Sequence, residues 1–190
     1  MDRIRIGIVL VLSWAVLACS SPRTIKSYDK DGIRFSHYSD WSVTDDAPIK
    51  GNPNARAIDL EGPNNALVAF ICLPASSRQT LEMFAATVAE RRAKVVEDML
   101  SVGPIRPAEM SKGTSAAIRG QVSGQERDGI LQNFSINMLG QEVPHEARFF
   151  AVSNGRYKVI IMTQVASEHA RDAYPAFDLT LDSFSIQNPD

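Results

Sequence analysis

The stretch Arg148-Phe-Phe-Ala-Val-Ser-Asn-Gly-Arg-Tyr-Lys-Val-Ile-Ile-Met162 limits what this chain can fold into more than any other. Asn-Gly is the preferred dipeptide of two-residue hairpin loops, because both central residues of that turn need φ > 0. A hairpin closed at Asn154-Gly155 sets Phe150 opposite Val159 and Phe149 opposite Ile160. Adjacent pairs along a strand point to opposite faces. Both faces of this ribbon are therefore apolar, and each needs a cover. The run Ala66-Leu-Val-Ala-Phe-Ile-Cys-Leu73 makes the same demand and reads as a central strand buried on both sides.

Helical spacing supplies the covers. Leu81, Phe84, Val88, Val95 and Met99 fall on one stripe of a helix over residues 80–101, with Glu82, Glu90, Lys94, Glu97 and Asp98 off it. Thr80 or Ser77 caps its start, and Gly103-Pro104 ends it. Such a charged face is ordinarily just solvated. After Ser167 the pattern resumes with Phe177, Leu181 and Phe184, and Pro175 marks a helix start or bend. Further strands are expected at residues 32–36, 41–43 and 56–60, with loops at Asn52-Pro53-Asn54 and Gly62-Pro63-Asn64-Asn65. Residues 116–122 and 130–139 form a strand pair joined through 125–129, with Ile130, Phe134, Ile136 and Met138 on its packed face. Burial then requires an α+β fold: a mainly antiparallel β-sheet sandwiched between helices.

The N-terminus carries a different signal. Arg3 and Arg5 precede an apolar stretch of 13 residues, Ile6 to Ala18. That is short of the ~20 needed to span a bilayer and fits the h-region of a secretion signal. Val16-Leu17-Ala18-Cys19 follows and resembles the lipobox of bacterial lipoproteins. The resemblance implies removal of residues 1–18, diacylglycerol on the Cys19 sulfur and additional acyl chains. Ser20, where Asp signals inner-membrane retention, implies the periplasmic leaflet of the outer membrane in a cell with two membranes. Residues 19–30 then form the lipidated N-terminus and a polar tether, and 31–190 the folded domain.

Three short stretches resemble the Mog1/PsbP-like fold, including DcrB-like bacterial lipoproteins: Gly32-Ile-Arg-Phe-Ser-His-Tyr-Ser-Asp-Trp41, Asn154-Gly-Arg-Tyr157 and Leu181-Asp-Ser-Phe-Ser-Ile186. The family usually has Pro three residues before the Trp, where this chain has Tyr38. The likeness covers nearly all of residues 31–187 and implies a packing scaffold; a fold does not by itself carry a function.

Reactive chemistry is sparse. No G-x-S-x-G, H-E-x-x-H, C-x-x-C or P-loop motif occurs, and none of the three histidines shares metal-ligand spacing with another. His145 in the loop Glu142-Val-Pro-His-Glu146 is the best local cluster for a metal, although a solvated loop suffices. His37 with Tyr38 and Trp41 lines a small aromatic pocket or closes the end of a core. Asp45-Asp46 falls in a loop with nothing to raise either pKa. Of two cysteines lipidation takes one, which leaves Cys72 as a small apolar core residue without a disulfide partner. No catalytic residue and no cofactor or metal site is assigned.

The formal net charge is −2; the expected signal segment holds two of the 20 basic and one of the 22 acidic residues, which leaves −3. That balance excludes a basic nucleic-acid binder. The expectation is a non-enzymatic, lipid-anchored envelope protein that binds another envelope component, most simply a protein. A periplasmic carrier of a small ligand or metal is the alternative, and a hydrolase of unfamiliar geometry the third reading.

Overall fold

A computed structural model describes residues 23–100, 113–138 and 141–187. Seven strands form the main antiparallel sheet, in the order β3-β4-β5-β9-β8-β7-β6: β3 is Ser42–Ile49, β4 Asn52–Glu61, β5 Leu67–Pro74, β6 Thr114–Val122, β7 Gln125–Met138, β8 Gln141–Ser153 and β9 Tyr157–Ala166. A smaller antiparallel sheet places β2 (Ile33–Tyr38) between β1 (Ile25–Lys30) and β10 (Ser185–Ile186). Helix α1 is Leu81–Leu100 and α2 is Ala170–Ser183.

The two-faced apolar strands lie at the centre, as expected. On one face Ala69, Ala147, Phe149 and Met162 pack with Leu81, Phe84, Ala85 and Val88 of α1. On the other, Val68, Phe70, Phe150, Val159 and Ile161 pack with Phe177 and Leu181 of α2 and with Ile33 and Phe35 of β2. The second face thus has two covers, a helix and a small sheet. Stacked rings tie them together: Tyr28 on Phe35 (4.7 Å between centroids), Phe35 on Phe70 (4.5 Å) and Phe70 on Phe184 (5.3 Å).

Thr80 caps α1, its Oγ1 accepting from the Met83 N–H at 3.2 Å; the Ser77 hydroxyl instead accepts from Gln79 N–H. The expected Val95 and Met99 packing and the Gly103-Pro104 stop concern side chains or residues outside the described set.

Several boundaries differ from expectation. Residues 25–30, assigned to a tether, form β1, because Asp31 and Gly32 both take positive φ (51° and 79°) and fold it onto β2 in full register from Lys30↔Ile33 to Ile25↔Tyr38. The β6–β7 connection is the two-residue turn Ser123-Gly124 (φ 56° and 66°), so residues 125–129 extend the strand instead of looping. Asn52–Asn54 belongs to β4, the turn being at Lys50-Gly51. The Asn154 hairpin is also wider than a two-residue loop. Asn154 Oδ1 accepts from the N–H groups of Arg156 and Tyr157 (3.1 and 2.9 Å), and Ser153 pairs with Lys158. Phe150 therefore faces Ile161, and Phe149 faces Met162. A shift of two residues keeps every side chain on its face, so the burial pattern is unchanged.

Candidate functional site

Cys19 lies outside the described residues. The remaining sites expected from the sequence are all within them. Glu142 to Glu146 is not a loop but the start of β8, paired with β7 through Pro144↔Ser135; β9 pairs only from His145 onward, which leaves the Pro144 nitrogen on the free side. Strand alternation then separates the cluster. His145 stacks on Phe134 on the α1 face (5.4 Å) and its Nδ1 lies 2.8 Å from the Val143 carbonyl oxygen. Glu146 points to the other face, where both its oxygens accept from the Tyr174 hydroxyl at 2.8 Å and Arg148 lies 3.2 Å away. Among the described residues no three His, Cys, Asp or Glu side chains converge as a metal cage.

His37 and Tyr38, neighbours on β2, are likewise not parts of one pocket. His37 is buried under Phe35 with Nδ1 2.9 Å from the Tyr38 carbonyl oxygen. Trp41 is buried edge-on to Phe177 and borders a polar groove of about 370 Å³ with Arg23, Asn64, His169 and Arg171. Cys72 is buried on the α2 face, and burial pushes its thiol up to about 11, so it stays protonated at neutral pH.

The Asp45-Asp46 pair lies in β3, not a loop, and Asp46 anchors a network that local sequence does not show. Its carboxylate accepts from Arg56 Nε (2.5 Å), Lys30 Nζ (2.7 Å) and the Tyr28 hydroxyl (2.9 Å). Arg56 also donates to the Tyr28 oxygen and pairs with Asp31 at 3.0 Å. The Arg56 hydrogen bond, helped by those from Lys30 and Tyr28, holds the Asp46 carboxyl far below the usual carboxylate range. Burial, then the bond to Asp46, raises the Tyr28 phenol. Beside the network lies an apolar-floored hollow of about 230 Å³ bordered by Ile33, Pro48, Ala55, Arg56, Cys72 and Tyr157. With the guanidinium engaged by two carboxylates, this assembly joins β1 of the small sheet to β3 and β4 of the large one. It is a clamp between layers.

Arg92 is different. It reaches from α1 under the helix onto the sheet, its guanidinium carbon 4.2 Å from the Phe134 ring centre and 5.9 Å from that of Phe149. Its acceptors are neutral: Gln164 Oε1 at 2.7 Å, Gln132 Oε1 at 3.1 Å and Met162 Sδ at 3.5 Å. Burial lowers it to about 10, and no carboxylate among the described residues offsets that. The sequence held a signal for it. The α1 stripe steps from Val88 to Val95, and the missing intermediate position is 92.

In comparisons with known proteins, no protein-family model matches this chain, and no curated protein does. Among solved structures it is similar to cyanobacterial PsbP (CyanoP) from Synechocystis sp. PCC 6803, at 17% identity over 88% of this chain and 95% of that one, with a TM-score of 0.47. It is similar to LpqN, involved in cell envelope biogenesis of Mycobacterium tuberculosis, at 9% identity over 90% and 88% of the two chains, with a TM-score of 0.33. A third is PA94, a protein of unknown function from Pseudomonas aeruginosa, at 14% identity over 87% and 99%, with a TM-score of 0.34. The α+β class stands on the strand order and the covered faces described above.

Proposed function

We propose that this chain is a non-enzymatic accessory protein of the bacterial envelope, held at a membrane by acyl chains on Cys19, and that its folded domain binds a protein partner there. The lipobox-like Val16-Leu17-Ala18-Cys19 carries the reading. Two features support it. No helix among the described residues is long and apolar enough to cross a membrane. Four of the candidate reactive side chains among the described residues are also engaged structurally: Cys72 in the core, His37 and His145 on backbone carbonyls, Asp46 in the interlayer clamp. Acyl chains contribute about 0.8 kcal/mol per buried CH₂, so two or three of them make attachment effectively permanent. Because the fold begins at Ile25 rather than after residue 30, the six steps from Cys19 span at most ~20 Å. The domain would work close to the lipid surface.

The test is Cys19→Ala expressed at native level. Wild-type protein is expected in washed membranes, with acyl mass on a mature N-terminus at residue 19; the variant is expected in the soluble fraction. A variant that stays in the membrane, or a wild-type N-terminus without acyl mass, overturns the anchor. In-cell cross-linking identifies the partner. Loss of the cellular role on replacing His37, His145 and His169 together in a stably folded protein would overturn the non-enzymatic reading.

A further inference from the structure

We propose that Arg92 is the centre of a carboxylate-binding site at the seam between α1 and the β6–β7 end of the sheet, and that an acidic peptide segment of the protein partner supplies the carboxylate. The inference rests on the partner-binding reading above. A guanidinium carries five N–H donors in a planar fork that matches a carboxylate. Here the fork has two amide oxygens and a thioether as acceptors, and none of them is charged. Buried charges in proteins are ordinarily paired, and among the described residues no carboxylate pairs with this one. The helix itself offers nothing: positions three and four residues away are Val88, Ala89, Val95 and Val96.

Space exists beside the guanidinium. A cavity of about 70 Å³ borders Arg92, lined by Ala89, Thr114, Ser115, Gln132, Asn133 and Phe134. It holds roughly two waters' worth of volume, room for a group as small as a carboxylate. Hydroxyl and amide groups are at hand for oxygen atoms that Arg92 does not reach. The guanidinium lies over the Phe134 ring, and a planar carboxylate in line with that layer fits it better than a tetrahedral phosphate. Thr114, Asn133 and Phe134 also border a neighbouring open groove of about 320 Å³, lined further by Ser135, Pro144, His145 and Ser167. The carboxylate fills the small cavity, and the chain carrying it lies along the groove.

Three probes test this on the mature protein by NMR of the Arg92 Nε–H and the Gln132 side-chain amide: acetate, inorganic phosphate, and the blocked tripeptide acetyl-Ala-Glu-Ala-amide. Acetate and the tripeptide are expected to shift both signals saturably, the tripeptide binding at least tenfold tighter. Arg92→Lys keeps the charge but not the fork, and is expected to weaken both probes at least tenfold in a protein whose backbone amide spectrum stays that of the native fold. Arg92→Gln is expected to abolish both. No saturable shift, tighter binding of phosphate than acetate, a tripeptide no tighter than acetate, or wild-type binding by Arg92→Lys each overturns the site. Those outcomes leave the Cys19 result untouched, and a failed anchor leaves the acetate result at Arg92 untouched.

Discussion

Asp46 stabilises the fold only while it is charged. Its folded pKa is depressed below the unfolded value near 3.9, so the unfolded chain takes up the proton first as pH falls. The contribution is full above about pH 4 and drains away as pH drops toward the folded value. Hydrogen bonds to charged groups contribute about 1.5–3 kcal/mol each, so Asp46→Asn should cost about 2 kcal/mol at pH 7. In urea melts the gap between wild type and variant should narrow by pH 3. Cys72 gives a second expectation at this scale: buried and protonated, it should resist iodoacetamide in native protein and react at once in urea. How legible such residues were depended on what local sequence carries. Cys72 could be placed because its whole surroundings are one apolar run. The Asp46 clamp could not, since Arg56, Lys30 and Tyr28 meet it only after β1 and β4 are set beside β3. His145 and Glu146 are adjacent in sequence, which suggests one cluster; strand alternation puts them on opposite sides of the sheet.

At the scale of elements, the hairpins separate two kinds of information. Which strands are buried on both faces followed from apolar content, and that survived a register error because a two-residue slip preserves the faces. Turn geometry did not follow, since the Asn154 side chain caps the loop from within and widens it. Asp31-Gly32 was a legible hairpin signal masked by a polar, tether-like neighbourhood. Two glycines in the β6–β7 hairpin allow the two kinds of glycine constraint to be told apart. A Cβ at Gly124 meets open space, but φ is +66°, so Gly124→Ala should cost about 1–2 kcal/mol from backbone strain alone. A Cβ at Gly129 would come within 2.6 Å of both the Phe149 carbonyl oxygen and the Phe150 ring. Gly129→Ala should cost about 3 kcal/mol or displace Phe150 from the core. Thermal melts of the two variants, with aromatic NMR shifts for Phe150, check both.

For the whole molecule the N-terminal boundary decides stability. A chain begun at residue 31 loses the Tyr28 stack on Phe35 and two of the three donors to Asp46. Burying a large side chain is worth about 1.5–3 kcal/mol, and the lost polar bonds add to that. The truncated chain should therefore be at least about 3 kcal/mol less stable than one begun at Arg23, as urea unfolding would show. β2 carries a further consequence. It lies between β1 and β10, and its Ser36 N–H donates to the Ser183 hydroxyl across 147 residues of sequence at 2.8 Å. Closing so long a loop is slow, and the contacts that reward it come only at the end. A chain delivered N-terminus first, from a ribosome or through a pore, cannot seat its earliest strands until residue 183 has emerged. It stays pliable, threadable and open to chaperones for almost the whole of its passage.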